Sequence, residues 1–291
     1  MRYTNVHHLS KEIVSAITND DYDHPTDDKT IPCSQLIAPP RITILRKRHE
    51  DKLVKDVSEE IWSLLGTAVH YILSKQTSDN VTIEQRLIWP INGYRVTGKP
   101  DLYNHDTETL EDYKITSVYK VIFGQKEGYK DWTEQLNVYA WLLRKNGLEV
   151  RCSSITAILR DWNLRDSKRN ADYPEIQIVK IPIEIWSEKA QEEFISQKLE
   201  TLKYSKDNTD EDLPLCTAEE RWASPTSWAI KKDGRKIAVR VFNSVNEAEA
   251  YLVSSKEFEN HTIEVREGED RRCANYCPVN QFCSYYQSKG Q

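Results

Sequence analysis

No apolar run in this 291-residue chain approaches the length of a membrane span, which argues against a membrane-embedded protein. The first ten residues hold no apolar h-region, so no secretory signal is expected. Internal repeats and low-complexity tracts are missing as well. There is no surplus of positive charge: 40 Lys and Arg stand against 46 Asp and Glu, a formal net charge of −6. That argues against wrapping nucleic acid over the whole surface, but it leaves room for a local basic groove. Residues 41–48, 160–169 and 231–240 are the candidates, each alternatively a solvated charged face. The six cysteines are unevenly spread, three of them crowding the C-terminus of a chain without an export signal, so a disulfide scaffold is not expected. What remains is a chain with 30% charged residues and a mean hydropathy of −0.68, much of its surface solvated. Its length suffices for one full core, or for a core with a smaller attached module.

The chemistry concentrates in one stretch. Gly98-Lys99-Pro100-Asp101 is followed, after the turn-forming run Asn104-His105-Asp106-Thr107, by Leu110-Glu111-Asp112-Tyr113-Lys114. Both flanks read as strands, and the pattern predicts a hairpin that sets Asp101 beside Asp112. Side chains alternate along a strand, which turns Asp112 and Lys114 to one face and Glu111 and Tyr113 to the other. Two carboxylates and an ammonium converging on one spot suit metal-assisted phosphodiester cleavage. They offer oxygen ligands for a hard divalent cation and a positive charge beside the attacking water.

Along the chain, residues 10–17 read as a short helix, with a loop following through 19–25. Pro39-Pro40 opens another helix, because proline suits the first turn, and 46–56 is its exposed continuation or a connection. Residues 57–75 predict a mostly buried helix. Its stripe of Ile61, Leu64, Leu65, Ala68 and Ile72 is extended by Trp62, Val69 and Leu73. His70 lies on it and, alone, reads as a hydrogen-bonded core histidine. Strands follow at 81–89, with Glu84 as an exposed strand residue, at 94–102 and at 109–116. A mobile loop near the site is expected over 117–130, then a helix over 131–146 capped by Asp131 and closed by Gly147. On that helix Gln135 and Tyr139, four apart, share a face. Strands at 154–162 and 175–183 and an amphipathic helix at 185–205 come next. Beyond residue 208 a hairpin about Asp233-Gly234, a helix at 245–255 and a strand at 262–266 lead to the tail. There Cys273, Cys277 and Cys283 are spaced C-x3-C-x5-C, a metal signal; a cluster needs four thiolates.

The ordered series of a helix histidine, Gly-x-Pro-Asp, Asp-x-Lys and Gln-x-x-x-Tyr resembles the PD-(D/E)XK nucleases of the RecB-like branch. That branch includes the CRISPR-associated iron–sulfur exonucleases and many phage recombination nucleases. The resemblance covers residues 57–147, and the C-terminal cysteines add a second match. It implies an α/β fold: a restriction-endonuclease-like core with a mixed central β-sheet flanked by helices, and a C-terminal cysteine-ligated cluster module. The implied division is an N-terminal segment 1–56, a nuclease core 57–205 and a module 206–291. His70, Asp101 and Asp112, with the main-chain carbonyl of Tyr113, would bind Mg²⁺ or Mn²⁺, the imidazole favouring Mn²⁺. Lys114 would orient or deprotonate the attacking water, while Gln135 and Tyr139 would contact the DNA backbone and brace the site. The cysteine trio with one remote cysteine implies a [4Fe–4S] cluster, zinc staying open because the first gap is three residues rather than two.

Cys33 and Cys216 both qualify as the fourth ligand. Cys216 is favoured because it opens the region that carries Cys273, Cys277 and Cys283; Cys152, on a strand, reads as a buried small hydrophobe. The implied activity is a metal-dependent exodeoxyribonuclease acting on DNA ends or single strands in recombination, repair or processing. Its expected partners are DNA and a helicase or strand-annealing protein, with no membrane, in the cytoplasm (a host's cytoplasm if the chain is viral). The rival readings are a structure-specific endonuclease on the same fold and an inactive nucleic-acid-binding subunit of a helicase–nuclease assembly. The intact set His70, Asp101, Asp112 and Lys114 favours an active enzyme.

Overall fold

The computed structural model describes residues 1–19, 27–76, 79–255 and 260–290. Most of the loop expected over 19–25 lies outside them. The chain divides into two units, Met1–Ala38 with Glu50–Asp207, and Pro39–His49 with Asn208–Gln291.

The first unit is a mixed α/β structure. Its five-stranded sheet runs in the order Ile178–Ile183, Cys152–Leu159, Thr109–Thr116, Leu102–Asn104, Val81–Ile83. Neighbours are antiparallel except Thr109–Thr116 and Cys152–Leu159, which run parallel. Parallel neighbours need a long crossover. Here it is made by two helices, Val118–Glu127 and Lys130–Lys145. The second of these is the core helix: Leu136, Val138, Ala140, Trp141 and Leu142 are all fully buried. Its buried Asn137 donates to the carbonyls of Thr133 and Glu184 and accepts from the Trp186 amide and the Gln191 side chain. A buried amide satisfied on both ends fixes the helix against the chain beyond the sheet edge. A second sheet, in the order Thr30–Pro32, Tyr94–Gly98, Leu87–Ile91, completes the layer.

Several expectations change. The strand expected over 94–102 is two strands in two different sheets, Tyr94–Gly98 and Leu102–Asn104. Pro100 has no amide hydrogen with which to continue a ladder, so the chain turns from one sheet to the other at Lys99-Pro100-Asp101. The strand expected over 81–89 splits in the same way, into Val81–Ile83 and Leu87–Ile91. The loop expected over 117–130 is largely the helix Val118–Glu127. Ser117 Oγ accepts from the Lys120 amide at its start, and Gly128, at φ 87°, ends it. Asp131 is not the cap of the next helix; it lies in the first turn and pairs with Lys120.

The helix Ile61–Ser74 follows a 3-10 turn, Val57–Glu60, that opens with a capping box on Asp56 and Glu59. It is not buried: none of its residues is, and Trp62, Tyr71 and Ile72 are more than half exposed. Apolar residues occupy all sides of this helix, whereas only one side can lie on the strand Thr109–Thr116.

The second unit holds the helix Pro40–Arg48, with proline in its first turn as expected, and an antiparallel sheet, Arg240–Phe242, Ser227–Lys232, His261–Arg266. The helix Val245–Ser255 packs on that sheet. Arg41, expected in a basic groove, is 2% exposed instead. Among the described residues no helix is long and apolar enough to cross a membrane.

Candidate functional site

The hairpin Leu102–Asn104 with Thr109–Thr116 pairs Leu102 with Glu111, so Asp101 falls one step further, opposite Asp112. The Tyr113 amide donates to Asp101 Oδ2 at 2.7 Å, while Asp101 Oδ1 lies 3.2 Å from His70 Nδ1. Asp112 is 2% exposed, and the Lys114 ammonium pairs with its Oδ2. From the core helix, Gln135 Nε2 reaches Asp112 Oδ1 at 3.4 Å and the Tyr139 hydroxyl at 3.1 Å. Glu111 faces the other way, accepting from the Thr156 hydroxyl and, at 2.8 Å, from Lys180. The structure thus brings Asp112, Lys114, Gln135 and Tyr139 together on one face, and His70 with Asp101 beside them. Tyr139 itself is buried; its ring lies so close to Gly98 that a Cβ there would stand 2.7 Å from Cε1. Its place is that of a brace behind the site.

The hydrogen bond from Asp101 raises the pKa of His70, with burial opposing it. Burial raises Asp112 above the usual carboxylate range, against the pull of Lys114. Burial likewise lifts Tyr139, keeping its hydroxyl a hydrogen-bonding group rather than an acid.

One residue was missed by the sequence reading. Glu84 presents its carboxylate beside His70 and Asp101, and the three ligand atoms lie within 4.8 Å of one another. Its amide donates to the Asp101 carbonyl at 3.1 Å, and Lys99 Nζ lies 2.7 Å from Glu84 Oε2. The only trace in the sequence is the polar run Glu84-Gln85-Arg86 inside a stretch read as strand. Leu73, Ser74, Ile83, Leu102 and Tyr113 line the rest of this pocket. An imidazole and two carboxylates so close together are a fitting donor set for a divalent cation of the Mg²⁺ or Mn²⁺ class. Asp112 is outside that set of three.

Cys273, Cys277, Cys283 and Cys216 line one cavity of the second unit, about 410 Å³ of atom-free space partly open to solvent. Arg41, Arg221 and Arg272 line it too. Burial, Glu220 and the three other thiols push the Cys216 thiol up to about 12. Arg41 donates to Cys283 Sγ at 3.5 Å. Cys33 lies elsewhere: it belongs to the first unit, is buried, and donates to the Gln135 carbonyl at 3.8 Å. Cys152 is exposed rather than buried, because it is the first residue of its strand. Four thiolates on one zinc, at about 2.3 Å each, would stand roughly 3.8 Å apart. Among the described residues no three of these sulfurs lie within 4.8 Å of one another. The donor set suits a group bound through sulfur, and its spacing is wider than a single tetrahedral ion requires.

No family model and no curated protein matches the chain. Two solved structures are similar to it at low identity. One, described as SSO0001, is 16% identical; the match covers 61% of this chain and 78% of that one at a TM-score of 0.43. The other is a phage related exonuclease from Haemophilus somnus 129PT, also 16% identical, covering 55% of this chain and 68% of that one at a TM-score of 0.28. Likenesses this loose assign no activity to the chain.

Proposed function

We propose that the chain is a metal-dependent deoxyribonuclease that works as an exonuclease on DNA ends or single strands. The observation that carries this reading is the meeting of two carboxylates from one hairpin with an imidazole on one side and an ammonium on the other. The order of the motif residues, which resembles the RecB-like PD-(D/E)XK nucleases, supports it.

His70 and Asp101 would hold the cation, with Asp112 close by. A bound Mg²⁺ or Mn²⁺ supplies a lowered pKa for its water and neutralises charge gathering on the phosphate. Lys114, anchored on Asp112, donates to the oxygen of the attacking water and favours its deprotonated form through its own charge. Gln135 holds the second oxygen of Asp112 and the Tyr139 hydroxyl, which keeps the Asp112–Lys114 pair from swinging away. In the second unit, Cys216, Cys273, Cys277 and Cys283 would hold a [4Fe–4S] cluster, with zinc as the alternative. Anaerobically purified protein should then be brown, and Cys216→Ser should bleach it; colourless protein with stoichiometric zinc would speak for the alternative.

The reading is tested with end-labelled linear DNA and Mg²⁺ or Mn²⁺. Asp112→Asn should abolish cleavage while leaving the fold and DNA binding in place. Full cleavage by that variant would overturn the proposal. A closed single-stranded circle, resistant to a strict exonuclease, separates this reading from an endonuclease on the same fold.

A further inference from the structure

Asp101 and Asp112 sit side by side on the hairpin, yet their carboxylates are committed to different neighbours. Asp101 divides its oxygens between the Tyr113 amide and His70. Asp112 divides its oxygens between Lys114 and Gln135. Neither can swing to the other's partners without breaking contacts it already has. Glu84, by contrast, is aimed at the Asp101 side. It stands in the break between two strands of different sheets, at φ 48°, a left-handed conformation that a glutamate adopts reluctantly. Its amide is tied to the Asp101 carbonyl, so backbone and carboxylate together hold it at the mouth of the His70 pocket. In octahedral coordination at about 2.1 Å, neighbouring ligands stand roughly 3 Å apart and opposite ones about 4.2 Å. Three donor atoms within 4.8 Å need only small side-chain shifts to reach that spacing. Lys99, 2.7 Å from Glu84 and partly exposed, carries positive charge where such an ion would bring it, and its flexible stem can withdraw into water.

We propose that Glu84, His70 and Asp101 form a divalent-cation site complete without Asp112, and that Lys99 competes with the ion for Glu84. The proposal rests on the nuclease reading for its purpose but not for its test. On this view the two aspartates split the work: Asp101 holds the ion with Glu84 and His70, and Asp112 positions Lys114. Lys99 keeps the empty site from carrying two uncompensated carboxylates.

The test is binding of Mn²⁺ alone to the full chain, without DNA, read from the free-Mn²⁺ electron paramagnetic resonance signal, with circular dichroism to confirm folding. Glu84→Gln should weaken the tight site about tenfold or more. Asp112→Asn should leave Mn²⁺ affinity within about threefold of the parent, less than half of a tenfold step in free energy. Lys99→Met should tighten binding, a direction that misfolding does not produce. Wild-type affinity in Glu84→Gln, or equal losses in Glu84→Gln and Asp112→Asn, would overturn the site; unchanged or weaker binding in Lys99→Met would overturn the competition. Mn²⁺ binding that follows the predicted order in a protein that never cleaves DNA would uphold the site and sink only the nuclease reading.

Discussion

A single methyl group at Gly98 is predicted to reach the site through Tyr139. The added carbon would meet Cε1 at 2.7 Å and Leu142 Cδ1 at 2.9 Å, so Gly98→Ala must shift the ring or the strand. Overpacking of this kind costs about 1–3 kcal/mol, to be measured by urea unfolding. Cleavage should fall further than that loss explains, because the Tyr139 hydroxyl and Asp112 share Gln135. His70 gives a second prediction at this scale. Asp101 raises its pKa, so in cation-free protein the contact contributes stability that is full below the ordinary value near 6.5. That contribution is lost as the pH rises through the raised folded value. The stability gap between wild type and His70→Gln should therefore be wider at about pH 5.5 than at about pH 8.5 in chelator. A gap independent of pH would mean that the imidazole stays neutral. The residues that were legible are those linked locally: alternation along one strand chose Asp112 over Glu111, and hairpin pairing brought Asp101 beside it. Glu84 was not legible, since its tie to Asp101 runs across a strand break that no short-range pattern announces.

At the scale of elements, glycine misled the reading where it packs rather than bends. Gly124 and Gly128 suggested a loop over 117–130, yet Gly124 lies inside a helix because the Tyr129 ring occupies the space of its missing side chain. Alanine in a helix interior normally gains about 0.5–1 kcal/mol over glycine. Gly124→Ala should instead destabilise the protein in urea unfolding, as the methyl group and the ring cannot share one position. A stabilised variant would show that the ring is not seated there. The opposite error concerns Ile61–Ser74: an apolar pattern all round a helix predicts burial, but burial requires a partner on every side, and the chain supplies one. Proline was the better guide. Pro40 opened a helix as expected, while Pro100, read as part of a strand, ends it and hands the chain to the sheet that carries the site.

On the scale of the whole molecule, the two units are interleaved in sequence, and the membership of 39–49 is a tertiary fact that composition does not record. The shift in character near residue 208 was visible; the link from Arg41 to that region was not. Its guanidinium donates to the carbonyls of Glu211, Leu213 and Pro214, to Ser284 Oγ and to Cys283 Sγ, all within the second unit. A buried charged donor that serves several acceptors leaves each of them unpaired when it is removed, at about 1–3 kcal/mol apiece. Arg41→Ala should loosen this unit and speed the reaction of its thiols with a disulfide reagent in the metal-free chain. An unchanged rate would contradict that role. A fragment of residues 208–291, which lacks Arg41 and its helix, should fail to hold the fold seen in the full chain. The central claim, that hairpin, histidine and lysine together cut DNA with a divalent cation, is tested most directly by one experiment. Purified protein is incubated with end-labelled linear DNA and Mn²⁺, beside Asp112→Asn and a chelator control. The account predicts progressive loss of the label with Mn²⁺ for the wild type, and none for the variant or in chelator. Intact substrate in every lane, or equal digestion by Asp112→Asn, would contradict it.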